Sequence, residues 1–145
     1  AFTLATPDEL RAALAAARDE LRSAIAAAAG NWEAQPPNVE GEDAWSPRQV
    51  AEHAISAEAY FTTAICEACG YPGVDRVAAE YPAADDALEG HSAVIEMCDK
   101  KLRHVTEKDL EMKHERWGSA ADLLALSAHH LRDHAAQLRR AAGVA

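Results

Sequence analysis

The sequence predicts an all-α fold, and three features carry that expectation. Alanine makes up about a quarter of the 145 residues while aromatics are 6%, and runs of β-branched residues are nearly absent, a balance that favours helix over strand. Before three apolar-periodic stretches a small hydroxyl residue is followed three positions later by an acid or amide: Thr6 and Glu9, Ser46 and Gln49, Ser119 and Asp122. This is the start signature of a helix, strengthened at Pro7 and Pro47 by proline in the first helical position. Apolar residues then recur every three or four positions. The expectation is one domain over residues 1–145, a four-helix bundle, in a chain long enough to bury one continuous core.

The first helix begins at Pro7 and places Leu10, Leu14, Ala17, Leu21, Ile25 and Ala28 on one face, with Arg and Glu on the other and Gly30 as its end. Residues 31–44 contain prolines and acids without period, and read as a loop carrying Trp32. The second helix starts at Pro47, and its stripe is Val50, His53, Ala57, Tyr60 or Phe61, and Ala64, ending at Gly70. Residues 71–82 form a second loop whose Tyr71 and Tyr81 are placed to line an opening. The third helix, from about Ala84 to Val105, turns Leu88, His91, Ile95, Cys98, Leu102 and Val105 inward. Residues 106–118 are charged and read as irregular. After Ser119 the fourth helix carries Leu123, Ser127, His130, His134 and Ala141 on one face.

Charge and cysteine content narrow the function classes. A formal net charge of −10, with no basic run longer than Arg139–Arg140, opposes nucleic-acid binding. No apolar stretch is long enough to cross a bilayer, and the first residues show no basic segment followed by an apolar one, so a soluble cytoplasmic protein is expected. Three cysteines cannot all pair within the chain. Cys66 and Cys69 lie near a helix C-terminus, where the dipole disfavours thiolate, and read as small buried side chains.

Chemistry concentrates on histidine. His130 and His134 stand one turn apart on one helix face, so both imidazoles can reach one ion, and His53 on the second helix is the candidate third ligand. With the second and fourth helices antiparallel, His53 lies ~9 Å from one helix start and the pair ~13 Å from the other's end, levels that agree within about a turn at ~1.5 Å per residue. Three imidazoles without a fourth side chain leave positions open for water or substrate. On spacing alone, packed core imidazoles explain the pattern equally well. His91 is expected inward but outside the ligand set, His129 on the surface, and His104 and His114 solvated. A di-iron carboxylate site is excluded, because its Glu-x-x-His spacing occurs only at Glu111 and His114, off the helices.

The run from Trp45 through Ser46, Pro47, Arg48, Gln49, Val50, Ala51 and Glu52 to His53, with His130-Leu131-Arg132-Asp133-His134 and Gln137 near the C-terminus, resembles the DinB/YfiT-like family of metalloenzymes. The resemblance covers nearly the whole chain: a Trp-Ser start to the second helix, a His shortly after it, and a late His-x-x-x-His with Gln three residues on. It implies an up-down-down-up bundle, a divalent metal (zinc or nickel foremost, iron next) held by His53, His130 and His134, and homodimers. It also implies a metal-dependent S-transferase or isomerase acting with a low-molecular-weight thiol such as mycothiol or bacillithiol. A metal-dependent hydrolase and a non-catalytic metal-binding stress-response protein are the alternatives.

Overall fold

Each long helix starts where a side chain satisfies its first free N–H groups. The computed structural model describes residues 5–145, in which α1 spans Pro7–Ala27, α2 Pro47–Cys69, α3 Ala84–Leu102, α4 Glu107–Leu110 and α5 Ala120–Ala142. Reciprocal capping boxes close the starts of α1, α2 and α5 at the three expected places. Helix α2 ends on Gly70 in the left-handed region (φ 78°), a conformation that costs glycine little. The end expected at Gly30 is displaced: α1 stops at Ala27 and tightens into a 3-10 turn over Ala29–Asn31. Helix α3 ends at Leu102, three residues before Val105.

The segment read as irregular carries structure. Thr106 and Asp109 form a fourth reciprocal box, which starts the single turn α4. Two short strands follow, β1 (Lys113–His114) and β2 (Gly118–Ser119), antiparallel with Lys113 opposite Ser119. Tyr71 donates its hydroxyl proton to the Asp109 carboxylate, 2.9 Å away, and ties the loop after α2 to this turn.

Helix α5 packs on α1 and α2, and α3 packs on the same two helices. All four contribute to one apolar cluster, which includes Leu14, Leu21, Ile55, Ile65, Leu102 and Leu131. Burying each such side chain stabilises the fold by roughly 1.5–3 kcal/mol. Among the described residues, no helix is long and apolar enough to cross a membrane.

Two charged residues lie inside this core, and for Arg18 this overturns the expectation that the Arg and Glu of the first helix fill its outer face. Arg18 is 5% exposed and Glu58 1%. Arg18 Nε donates to Glu58 Oε2 at 2.8 Å, its Nη1 donates to Asp99 at 2.8 Å, and His91 Nε2 lies 2.8 Å from Glu58 Oε1. The network joins α1, α2 and α3. Burial pushes the Glu58 carboxyl up, but the His91 hydrogen bond and the Arg18 charge outweigh it and hold the carboxyl below its usual range.

Candidate metal centre

The cap at Ser46 sets the phase of α2, which places His53 about two turns in, at the edge of the buried face. The buried face of α2 runs through Ala51, Ile55, Glu58, Thr62 and Ile65; His53 and Ala57 sit at its rim, and of the two aromatics offered for the stripe Phe61 is buried while Tyr60 is 52% exposed. On α5, His134 is buried and His130 half-buried, one turn apart. The end of α5 lies by the entry to α2, where Gln137 reaches the Glu42 carbonyl, and the end of α2 lies by the segment before α5, where Glu67 meets His114. This registers His53 against the pair.

His53, His130 and His134 each direct one ring nitrogen into a common space, the three atoms lying within 4.8 Å of one another. Among the described residues no other trio of metal-ligating side chains converges in this way. His130 Nε2 and His134 Nε2 are 3.0 Å apart. Two nitrogens bound to one zinc ion at ~2.0–2.1 Å would be ~2.9 Å apart at a right angle and ~3.3 Å at the tetrahedral angle, so this pair already has the spacing of two ligands. The trio as a whole extends up to 4.8 Å, and engaging all three draws the imidazoles inward.

The ring of His134 is held from behind. Its Nδ1 lies 2.8 Å from Gln137 Oε1, and Gln137 Nε2 donates to the Glu42 carbonyl at 2.7 Å. Because the amide nitrogen is committed to Glu42, the amide oxygen must accept, Nδ1 must carry the proton, and Nε2 presents a lone pair to the cluster. Gln137 thereby has a structural role that the resemblance alone left unassigned. His53 and His130 have no such partner for a second ring nitrogen among the described residues. Instead Trp45 lies 5.3 Å from His53 and Phe61 lies edge-on 5.3 Å from His130, between ring centroids.

Burial and neighbouring imidazoles favour the neutral form of His53 and His130. Burial first, then the neighbouring His134 and His53, lower the His130 pKa to about 4, and burial followed by His134 lowers that of His53 against an opposing pull from Glu42. Neutral imidazole is the ligating form. Among the described residues no carboxylate joins the trio, so a divalent cation there would keep its full charge and favour an anionic or polarisable ligand in its remaining positions.

The other histidines sort as follows. His91 is fully buried on Glu58 and lies outside the trio, and His129 is exposed and paired with Asp133. His104 is exposed, but His114, expected in solvent, is half-buried against Glu67 at 2.8 Å. The thiols are unactivated: burial raises Cys66, pushes Cys69 up to about 11 and pushes Cys98 up to about 12.

A cavity of about 750 Å³ opens beside His53 and His130. The tyrosines expected to line it do not. Tyr81 is 9% exposed, with its ring against Gly90 and its carbonyl accepting from Trp32 Nε1, and Tyr71 is turned to Asp109. The aromatic wall comes from α2 itself, through Tyr60 and Phe61, and the loop supplies Asp75 and Arg76.

The fold and the site thus define a mostly helical protein with three convergent imidazoles that could hold one metal ion, two of them lining a cavity. Residues 31–138 match the family model of the DinB superfamily, and the chain belongs to that superfamily. No curated protein and no solved structure matches it.

Proposed function

We propose that the protein is a metal-dependent enzyme in which His53, His130 and His134 hold one divalent cation, zinc or nickel foremost. We propose further that it transfers or isomerises small electrophilic molecules with the help of a low-molecular-weight thiol such as mycothiol or bacillithiol. The observation that carries this reading is the convergence of three imidazoles, two of which, His53 and His130, line a cavity with an aromatic shelf and a cation on its wall. A metal sealed under packed side chains would have favoured a purely binding or structural role; the cavity favours an enzyme. The helix contacts support an up-down-down-up four-helix bundle: Arg11 of α1 reaches the end of α3 while Arg22 reaches its start, and Asn31 after α1 reaches the end of α5.

A bound divalent cation lowers the pKa of a thiol or a water brought to it, and so supplies a nucleophile at neutral pH. The chain does the rest. Gln137 fixes the His134 tautomer so that its lone pair faces inward, while Trp45 and Phe61 flank His53 and His130 and limit water there. Tyr60 and Phe61 offer a surface for the apolar part of a substrate. The resemblance also implies a homodimer, which light scattering tests.

The test is spectroscopic. In cobalt-substituted protein, mycothiol or bacillithiol should produce sulfur-to-metal charge-transfer absorption, and His134→Ala should remove both that band and turnover of electrophilic test substrates. Absence of the band with both thiols, together with metal-dependent cleavage of an ester or amide, would replace this reading with the hydrolase.

A further inference from the structure

We propose that Arg76 is the specificity-determining residue of the cavity, and that the cavity takes a compact ligand with an apolar body and a carboxylate, the carboxylate pairing with the Arg76 guanidinium. The proposal rests on the cavity being the substrate site of the metal enzyme, and adds the substrate class.

The polar groups of the cavity wall are largely spoken for. Ser56 Oγ donates to the His53 carbonyl at 3.1 Å, and Thr63 Oγ1 accepts from Val74 N at 3.1 Å while donating to Val74 O at 3.3 Å. His53 and His130 face the metal position. What remains for a ligand, apart from the Tyr60 hydroxyl, is Asp75 and Arg76, neither of which forms an ion pair or a side-chain hydrogen bond among the described residues. The rest of the wall is apolar, from Ala57, Ala59, Phe61, Val74 and Val77.

The segment bearing Arg76 is placed by design of the chain, since it is anchored on both sides. Before it, Gly73 lies so close to α2 that a Cβ there would stand 2.7 Å from Thr63 Cγ2, and the Thr63 hydroxyl clasps both backbone groups of Val74. After it, the Tyr81 N–H donates to Glu52 Oε2 at 2.7 Å and the buried Trp32 indole donates to the Tyr81 carbonyl at 2.8 Å. A loop fixed at both ends holds its backbone beside the cavity before any ligand arrives, which lowers the ordering cost of binding, while the exposed Arg76 side chain is left free to meet a ligand.

Charge selects the ligand. A guanidinium binds a carboxylate through two parallel hydrogen bonds, a geometry that neither an amide nor an ammonium can return. The metal position adds positive charge on the same side. Among the described residues Asp75 is the one opposing group on the wall, and it makes a cationic ligand the competing outcome.

The experiment titrates three near-isosteric probes, phenylacetate, phenylacetamide and phenethylamine, into zinc-loaded and metal-free full-length protein, followed by calorimetry and by amide chemical shifts. Phenylacetate should bind about tenfold more tightly than phenylacetamide in both forms. Arg76→Ala should erase that preference without changing amide affinity or zinc content, and Arg76→Lys should restore part of it. Equal affinity for acid and amide in the unmodified protein, an unchanged preference in Arg76→Ala, or tighter binding of phenethylamine that Asp75→Asn removes would each overturn the proposal. Failure to bind zinc would refute the metal reading instead, while the probe preference in metal-free protein would still decide the role of Arg76.

Discussion

Replacing Glu58 with leucine should be among the most damaging single changes in the molecule, although Glu58 touches neither the imidazole trio nor the solvent. The residue is 1% exposed and accepts hydrogen bonds from Arg18 Nε and His91 Nε2, both at 2.8 Å. Its removal strands a guanidinium that is 5% exposed and whose Nη2 already lacks a partner. Breaking a buried ion pair by deleting one partner costs about 3–5 kcal/mol. Arg18 keeps its bond to Asp99, whose side chain is 56% exposed, so the lower end is expected, about 3 kcal/mol. Against a total stability of order 5–15 kcal/mol for a domain, that is a large share. With a urea m-value of about 2 kcal/mol/M, the midpoint should fall by about 1.5 M. The decisive comparison is the double variant Arg18→Met, Glu58→Leu, which leaves no buried charge and should be more stable than Glu58→Leu alone. Urea unfolding followed by circular dichroism measures all of these. Additive costs, or a Glu58→Leu loss below about 1 kcal/mol, would refute the buried-charge argument. A pH arm follows from the depressed Glu58 carboxyl. Its contribution is complete above the unfolded pKa of about 4.3 and is lost as the pH falls through the lower folded value, so acid destabilisation from this source should be absent in the double variant.

Three further outcomes are expected. His91→Ala should lose stability, because Glu58 loses a partner, yet retain stoichiometric metal by elemental analysis; metal loss with folding intact would move His91 into the ligand set. Gln137→Leu should stay folded and weaken zinc affinity by about 10–100-fold in competition with a chelator, since the His134 tautomer is no longer enforced. Iodoacetamide at pH 8 should label Cys69 and Cys98 slowly in the folded protein, because thiols pushed up to about 11 and about 12 remain protonated there, and mass spectrometry should show rapid labelling only after unfolding.

Much of the scaffold is legible in the sequence by itself because its signals are local. A helix start depends on a side chain three residues from the N–H it satisfies, so Thr6, Ser46 and Ser119 declare α1, α2 and α5 without reference to the rest of the chain. The one-turn helix α4 carries the same signal in Thr106 and Asp109, overlooked because the charged residues around it show no apolar period. The pairing of His130 with His134 is likewise local, set by helical pitch. What only the tertiary structure decided lies between elements distant in the chain. Apolar periodicity treats every charge as surface, so it could not place Arg18 and Glu58 inside, where each is tolerated only because the other arrives from a different helix. Nor could it tell that Tyr81 goes in and Tyr60 stays out, that Gln137 braces His134 by way of Glu42, or that a loop clasped by Thr63 brings Arg76 to the cavity. Those outcomes depend on which surfaces meet when helices pack, and that information is held jointly by residues dozens of positions apart.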